Sequence, residues 1–439
     1  MNHTAALVVE YRTYIKEIIM WLIQKIRRYG STHNSRIRKC TLFVALILAI
    51  TGCSLREIKN QTEILDGAAL IKGTISNATN QKGALNALAF ELIEGEIIYQ
   101  GSTYVTETGE FQFYVTPGTY QIIGHLDQNE DGIYQPDEPI RFHPDHAMIT
   151  VQAGDEIVLP EFVINNEQEA AVRIDTDRQQ SNQYANLGKV ASLDDALFSR
   201  EHYGVGLWRP LDFLLSVGGG LFFLEDYDPS KTPVLFVHGI NGGPLDWQPV
   251  IEQLDTRRYQ AWVYYYASGL QLDIVSDTLM QSVAELQKRL GFRHIKIAAH
   301  SMGGLVTRAA IQKFASQHPN NYQTIDVFIT VNSPMGGMPS AAKGVKYSPI
   351  VVQSWKDVAE HSDFLKQLLD SPWPKDIPYH LVFSYLEGKE GDGVVSVGSQ
   401  LPRTLQKQAE GLYGFPNSHT GTLAEPEFIA LFNEILSAK

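Results

Sequence analysis

Cysteine is nearly absent from this 439-residue chain. Only Cys40 and Cys53 occur, and the last 386 residues hold none. A disulfide scaffold or a cysteine-rich metal site is therefore excluded from that part of the chain. Internal repeats and low-complexity tracts are also missing. Basic residues are in deficit. The formal net charge is −13, and residues 1–52 hold eight Lys/Arg against two Asp/Glu, which leaves −19 for the rest. So acidic a surface repels phosphate backbones, and a nucleic-acid partner is not expected. The 44% of apolar residues, by contrast, suffices for a sizeable core. The length suggests more than one domain.

The N-terminus reads as an address. Arg36, Arg38 and Lys39 precede the uncharged run Leu42–Ile50, which is too short to span a bilayer comfortably and fits a signal-peptide core. Ile50-Thr51-Gly52-Cys53 follows and resembles the lipobox of bacterial lipoproteins. That resemblance implies cleavage before Cys53, acylation of Cys53, and a place in the cell envelope, anchored at the outer membrane or periplasmic face. Since 35 residues precede the basic cluster, Met20 is an alternative start. The expected organisation is a signal peptide over 1–52, a tether over 53–65, a β-sandwich over 66–165, a linker over 166–201 and a hydrolase-like domain over 202–439.

In the 66–165 segment, apolar or alternating runs at Leu70–Ser76, Ala87–Ile93, Phe111–Thr116, Tyr120–Leu126 and Ile157–Ile164 are separated by turn residues such as Pro117-Gly118. Such spacing predicts a small all-β sandwich. The stretch from Thr106 to Gly132 resembles the transthyretin-like, carboxypeptidase-regulatory type of sandwich. Within and just after it, Asp127, Asn129, Asp131, Ile133 and Glu138 fall at the ligand positions of a twelve-residue calcium loop, with Gly132 at the sixth place. A strand before the loop, and Pro136 and Pro139 within and after it, oppose a helix–loop–helix unit. Two readings stay open: a structural calcium ion, or an Asx-rich turn that needs no metal.

From about His202 the texture becomes alternating strands and helices, with a continuous apolar run at Val234–Val237. This pattern predicts a mostly parallel sheet covered on both faces. Ile295–Ala299 is a predicted strand and Met302–Gln317 a predicted helix, with Ser301 on the turn between them. Ala299 and Gly303 are small enough for so tight a turn. The order Ala-His-Ser301-Met-Gly resembles the nucleophile turn of α/β-hydrolases, with Ala where Gly is usual. Upstream, Val234-Leu-Phe-Val-His238-Gly239-Ile240-Asn-Gly-Gly resembles their oxyanion loop. These resemblances imply an α/β-hydrolase with Ser301 as nucleophile and the amides of Ile240 and Met302 holding an oxyanion. His238 is expected to be structural.

The general base is expected at His419, in the loop before the last helix. His318, His361 and His380 are placed wrongly along their elements. Glu387-Gly-Lys-Glu-Gly-Asp392-Gly-Val resembles the acid loop of lipases and points to Asp392, with Glu387 and Glu390 as competitors. The order Ser301, Asp392, His419 is that of the hydrolases. Over residues 232–439 the chain resembles bacterial lipases and the esterases that deacylate GPI anchors. An insertion over 338–376, rich in helix-spaced apolar residues, is expected to cap an acyl pocket. The resemblance implies carboxylic ester hydrolysis without a catalytic cofactor, acting on an ester or lipid. A transacylase or thioesterase with the same three residues is the nearest alternative. A non-catalytic surface-binding protein on a hydrolase scaffold is the more distant one. The ligand of the β-domain is not legible.

Overall fold

The computed structural model describes residues 55–130, 133–143, 147–167, 186–319 and 322–438. The chain divides into two units, residues 1–60 and 61–439. In the first, residues 55–60 are described and are helical. Cys53 lies outside the described residues, as do Asp131 and Gly132. The second unit contains three β-sheets among its described residues.

Two of these sheets lie within residues 69–164. One joins β1 (Ala69–Asn77) to β4 (Glu110–Val115), β8 (Glu156–Val158) and β9 (Phe162–Ile164). The other joins β2 (Ala84–Ile93) to β3 (Glu96–Tyr104) and β5 (Gly118–Asp127), with β6 (Ile140–Phe142) and β7 (Ile149–Val151) on β5. Strand β1 alternates strictly: Ala69, Ile71 and Ile75 are buried, and their neighbours are half-buried. Its apolar face meets Ala87, Ala89, Ile122 and Leu126 of the second sheet in one core. Strands β2 and β5 are buried on both faces, because Leu88, Phe90 and Ile123 pack with Tyr134, Ile140 and Phe142 in a second cluster. The single strand expected over 157–164 is two short ones. Pro160, which has no N–H to give a ladder, falls between β8 and β9.

The third sheet has the order β10-β11-β13-β12-β14-β15-β16-β17. Its strands are β10 (Lys189–Val190), β11 (Gly220–Phe223), β12 (Thr232–Val237), β13 (Tyr259–Tyr265), β14 (Ile295–His300), β15 (Ile325–Val331), β16 (Tyr379–Ser384) and β17 (Gly411–Phe415). All pairings are parallel except β11 with β13. The middle strands are buried on both faces, as continuous runs such as Val234–Val237 require. Strand order reverses at β12: the chain steps from it to β13 on one side and returns to β14 on the other. The loops leaving β12 and β14 therefore open a crevice at the carboxyl edge of the sheet.

The helices that bear on the site and its surroundings are α1 (Glu201–Trp208), α2 (Pro210–Ser216), α3 (Leu272–Leu290), α4 (Met302–Gln317), α5 (Pro339–Tyr347), α6 (Gln353–Val358), α7 (Asp363–Asp370) and α8 (Pro426–Ser437). Helix α3 ends at Gly291, whose φ of 67° suits a residue without Cβ. The stretch expected as a tether is helical over 61–66 and is tied down at both ends. Gln61 Oε1 accepts from the amide of Leu211 at 3.1 Å, and Asp66 takes hydrogen bonds from Gln353 and Lys356. The end of the expected linker likewise enters the large sheet as β10 and then forms a single 3-10 turn at Ala196–Phe198.

The small sheets and the large one are joined by polar contacts on α3. The Tyr114 hydroxyl donates to Asp277 Oδ2 at 2.8 Å, and Lys313 Nζ donates to Asp277 Oδ1 at 2.6 Å. Arg289 Nη2 donates to the Tyr104 hydroxyl at 3.1 Å. A hydrogen bond to a buried charged group contributes about 1.5–3 kcal/mol. Tyr114→Phe is expected to lower unfolding free energy by about that amount in a denaturant titration. A change within error would mean that the contact adds nothing to stability.

Candidate active site

Ser301 stands between β14 and α4 with φ 53° and ψ −129°. Left-handed φ is uncommon for a residue with a Cβ, and a backbone so held costs about 1–3 kcal/mol. Three contacts hold it there. Its amide donates to the Val331 carbonyl at 2.8 Å, its carbonyl accepts from Gly304, and Gly239 packs against its side chain. A Cβ on Gly239 would stand 2.8 Å from Ser301 Cβ, and one on Gly303 would stand 2.3 Å from the His238 carbonyl oxygen. The smallness of these positions is thus a requirement of the crevice between β12 and β14.

The three side chains expected to act together are hydrogen-bonded in series. His419 Nε2 is 2.9 Å from Ser301 Oγ, and His419 Nδ1 is 2.7 Å from Asp392 Oδ2. A carboxylate can only accept, so Nδ1 carries the proton and Nε2 is left to accept from the serine hydroxyl. Asp392 is almost fully buried. Its Oδ1 accepts from the amides of Val394 and Val395 at 2.8 and 2.7 Å. Burial raises its affinity for a proton, but the bonds from His419 and from these two amides outweigh burial and hold the carboxyl below its usual range. Glu387 and Glu390, the competing acids, are not buried.

A second ring of residues fixes this set, and no local pattern in the sequence gives its members that role. Asn332, at φ 55°, donates to the His419 carbonyl at 2.7 Å and to Thr422 Oγ1 at 3.1 Å. His300 Nε2 donates to the same carbonyl at 3.0 Å. Gln400 Nε2 donates to the Ser384 carbonyl and to Asp392 Oδ2, and its Oε1 accepts from the Ser384 amide. The nearest sequence signal is the nucleophile turn itself, in which His300 precedes Ser301 but is given no role by the pattern.

His238 lies beneath the loop, as expected, and takes no part in the series. Its Nδ1–H donates to the Gly239 carbonyl, its Nε2 accepts from the Tyr266 amide, and its ring stacks on Tyr266 at 4.2 Å. Ile240 and Met302 meet Ser301 at the floor of a cavity of about 240 Å³. Pro334, Met338, Ala341, Trp355 and Val358, with Ser340 and Gly344, complete an almost wholly apolar wall. Met338, Ala341, Trp355 and Val358 belong to the 338–376 insertion, so the insertion does stand against the cavity. His318 instead pairs with Glu107 at 3.6 Å, and His380 faces the Tyr413 hydroxyl.

Of the calcium-loop residues, Asp131 is outside the described residues. Glu138, which would grip an ion with both oxygens, is taken by N–H donors. Oε1 accepts from the Gln128 amide, and Oε2 accepts from the Gln135 amide and faces His125 Nε2 at 2.8 Å. Among the described residues, no group of three or more acidic, histidine or cysteine side chains could hold a metal ion.

The chain is a serine hydrolase. Over residues 230–368 the chain matches the family model described as "Putative serine esterase (DUF676)". No curated protein sequence matches it. Solved structures similar to it include the lin2722 gene product from Listeria innocua, at 15% identity over 48% of this chain and 95% of that one, with a TM-score of 0.38. A structure from a study of the metagenome-derived lipolytic enzymes LipS and LipT is similar at 15% identity, over 47% of this chain and 93% of that one, with a TM-score of 0.35. The monoacylglycerol lipase of Paleococcus ferrophilus is similar at 13% identity, over 49% and 96%, with a TM-score of 0.35.

His238 and His300 are buried as neutral rings, and burial pulls them down to about 4 and about 3 respectively. In an unfolded chain a histidine titrates near ~6.5. The unfolded state therefore takes up these protons first as the pH falls. Their contribution to stability is complete above about pH 6.5 and is lost as the pH drops toward 4 and then 3. His300→Gln keeps a donor for the His419 carbonyl but has no proton to gain. Its melting temperature is expected to fall less than the parent's between pH 7.5 and 4.5. Equal slopes would contradict the burial of His300 as a neutral ring.

Proposed function

We propose that the chain is a carboxylic ester hydrolase working through an acyl-enzyme. The observation that carries this reading is the unbroken series from Ser301 Oγ through His419 to the buried Asp392, opening on an apolar cavity. Ser301 Oγ attacks the ester carbonyl carbon as its proton passes to His419 Nε2. Asp392 keeps the ring in the required tautomer and offsets the charge it gains. The amides of Ile240 and Met302 stabilise the oxyanion, the latter at the N-terminus of α4 where the helix dipole favours negative charge. His419 returns the proton to the leaving alkoxide. A water, deprotonated by His419, then releases the acyl group as a carboxylic acid and restores Ser301.

A transacylase or thioesterase would use the same residues, and the two differ from this reading only in acceptor or leaving group. A purely structural role leaves the tautomer, the left-handed φ at Ser301 and the buried acid without a purpose. For residues 127–138, the contacts of Glu138 support the turn reading, with the carboxylate pinning both ends of the loop. The lipobox-like sequence supports acylation of Cys53 and a membrane-anchored location in the cell envelope.

Ser301→Ala is expected to abolish hydrolysis of a chromogenic ester series while keeping the parent's circular dichroism. Asp392→Asn should lower kcat by about two to four orders of magnitude with little change in KM. Full activity in Asp392→Asn with loss in Glu387→Gln or Glu390→Gln would reassign the acid. For the anchor, labelled palmitate should be incorporated into the parent and not into Cys53→Ser, and continued labelling of the variant would rule out Cys53 as the acylated residue.

A further inference from the structure

The elements next to the cavity wall lie at the carboxyl edge of the large sheet. The Gly269 amide, just beyond β13, donates to the Gly206 carbonyl of α1, and the Ser354 amide of α6 donates to the Gly269 carbonyl. Helix α2 leads directly into β11, whose first residue, Gly220, pairs with the last of β13, Tyr265. Trp208, at the end of α1, lies edge-on to Trp355 of the cavity wall with ring centres 5.5 Å apart. Gly344 of α5 lines the same cavity and packs on Trp355.

On these elements the usual distribution of polarity is inverted. Phe213 fixes α2 to the core, while Leu214 and Leu215 next to it point to solvent, Leu215 with 88% of its surface exposed. Helix α5 has no buried residue at all, and Tyr347 at its end is 72% exposed. Trp208 and Val345 are exposed as well. Five large apolar side chains are thus open to water on three short helices, of which α5 lines the cavity, α1 meets the cavity wall through Trp208, and α2 follows α1 directly. Scattered single residues need no explanation, but a cluster rimming a site marks a surface that meets something apolar. Its charge points to what that is. Helix α5 carries Lys343 and Lys346 and no acidic residue, while Asp212 of α2 is paired with Arg209 at 3.1 Å and Glu201 stands at the other end of α1 from Trp208. Lysines among exposed aromatic and aliphatic side chains suit an anionic lipid surface, where the stems and rings enter the interface and the ammonium groups stay with the headgroups.

We propose that the rim formed by α1, α2 and α5 is a membrane-docking surface, and that the substrate is an ester lipid drawn from an anionic bilayer into the cavity at Ser301. The lipid-substrate half rests on the ester-hydrolase reading; the docking half does not. The test compares the full chain with its Leu215→Asp/Tyr347→Asp variant, neither residue lining the cavity. Three quantities are read: hydrolysis of a soluble short-chain ester, hydrolysis of a long-chain ester in phosphatidylglycerol vesicles, and quenching of tryptophan fluorescence by brominated phosphatidylglycerol in those vesicles. The variant is expected to keep the soluble rate within about twofold, to lose about tenfold or more of the vesicle rate, and to lose quenching. Lys343→Glu/Lys346→Glu should remove the preference for phosphatidylglycerol over phosphatidylcholine vesicles. Unchanged vesicle rate and quenching in the Leu215→Asp/Tyr347→Asp variant would overturn the proposal, as would a fall in the vesicle rate matched by an equal fall in the soluble rate. A parent that shows quenching but hydrolyses neither ester would leave the docking surface standing and remove the hydrolase reading.

Discussion

The structure of the site depends on one close approach, that of Gly239 to Ser301. The loops leaving β12 and β14 must share a narrow crevice, and Ser301 can enter it only with its backbone turned to a left-handed φ of 53°. The neighbouring positions are small for this reason. A Cβ at Gly303 would strike the His238 carbonyl, and one at Gly304 would strike Ser333. The strain is local, and it is held by buried parallel strands on both sides. What the arrangement achieves is a hydroxyl presented to the cavity at a helix N-terminus.

The second dependence is on the His419 carbonyl. Asn332 and His300 both donate to it, so the loop bearing His419 is tied to the ends of β14 and β15. Asp392 is fixed from the opposite direction by two amides of its own turn and by Gln400, which bridges to β16. Serine, imidazole and carboxylate thus come from three segments that are far apart in sequence, and each is anchored to the same sheet. The His419 ring has its Nδ1–H directed to Asp392, which leaves a free acceptor toward Ser301.

Much of this is legible in the sequence because it is local. A strand, a serine between small residues and a helix form one continuous pattern, and α4 begins and ends at the residues expected, Met302 and Gln317. His419 and Asp392 can be chosen by their order and place along the chain. The supporting residues cannot. Asn332, His300, Ser384 and Gln400 converge from separate elements, and no spacing links them. The same reason hides edge strands. β3 and β17 interrupt their apolar residues with polar residues or glycine on both faces, and β10 is two exposed residues that gain strand character only by pairing with β11. The segment expected as a tether is ordered for a related reason. Its polar residues look solvated in sequence, whereas Gln61 and Asp66 bind partners that lie far along the chain.

The central claim is that Ser301 is the residue that becomes acylated. The most direct measurement is mass spectrometry of the protein after reaction with a fluorophosphonate, followed by peptide mapping. A single phosphonyl group on the peptide containing Ser301 is expected, formed in the native protein and absent after acid unfolding. A modification at another serine, or none in the folded protein, would contradict the assignment of Ser301 as the nucleophile.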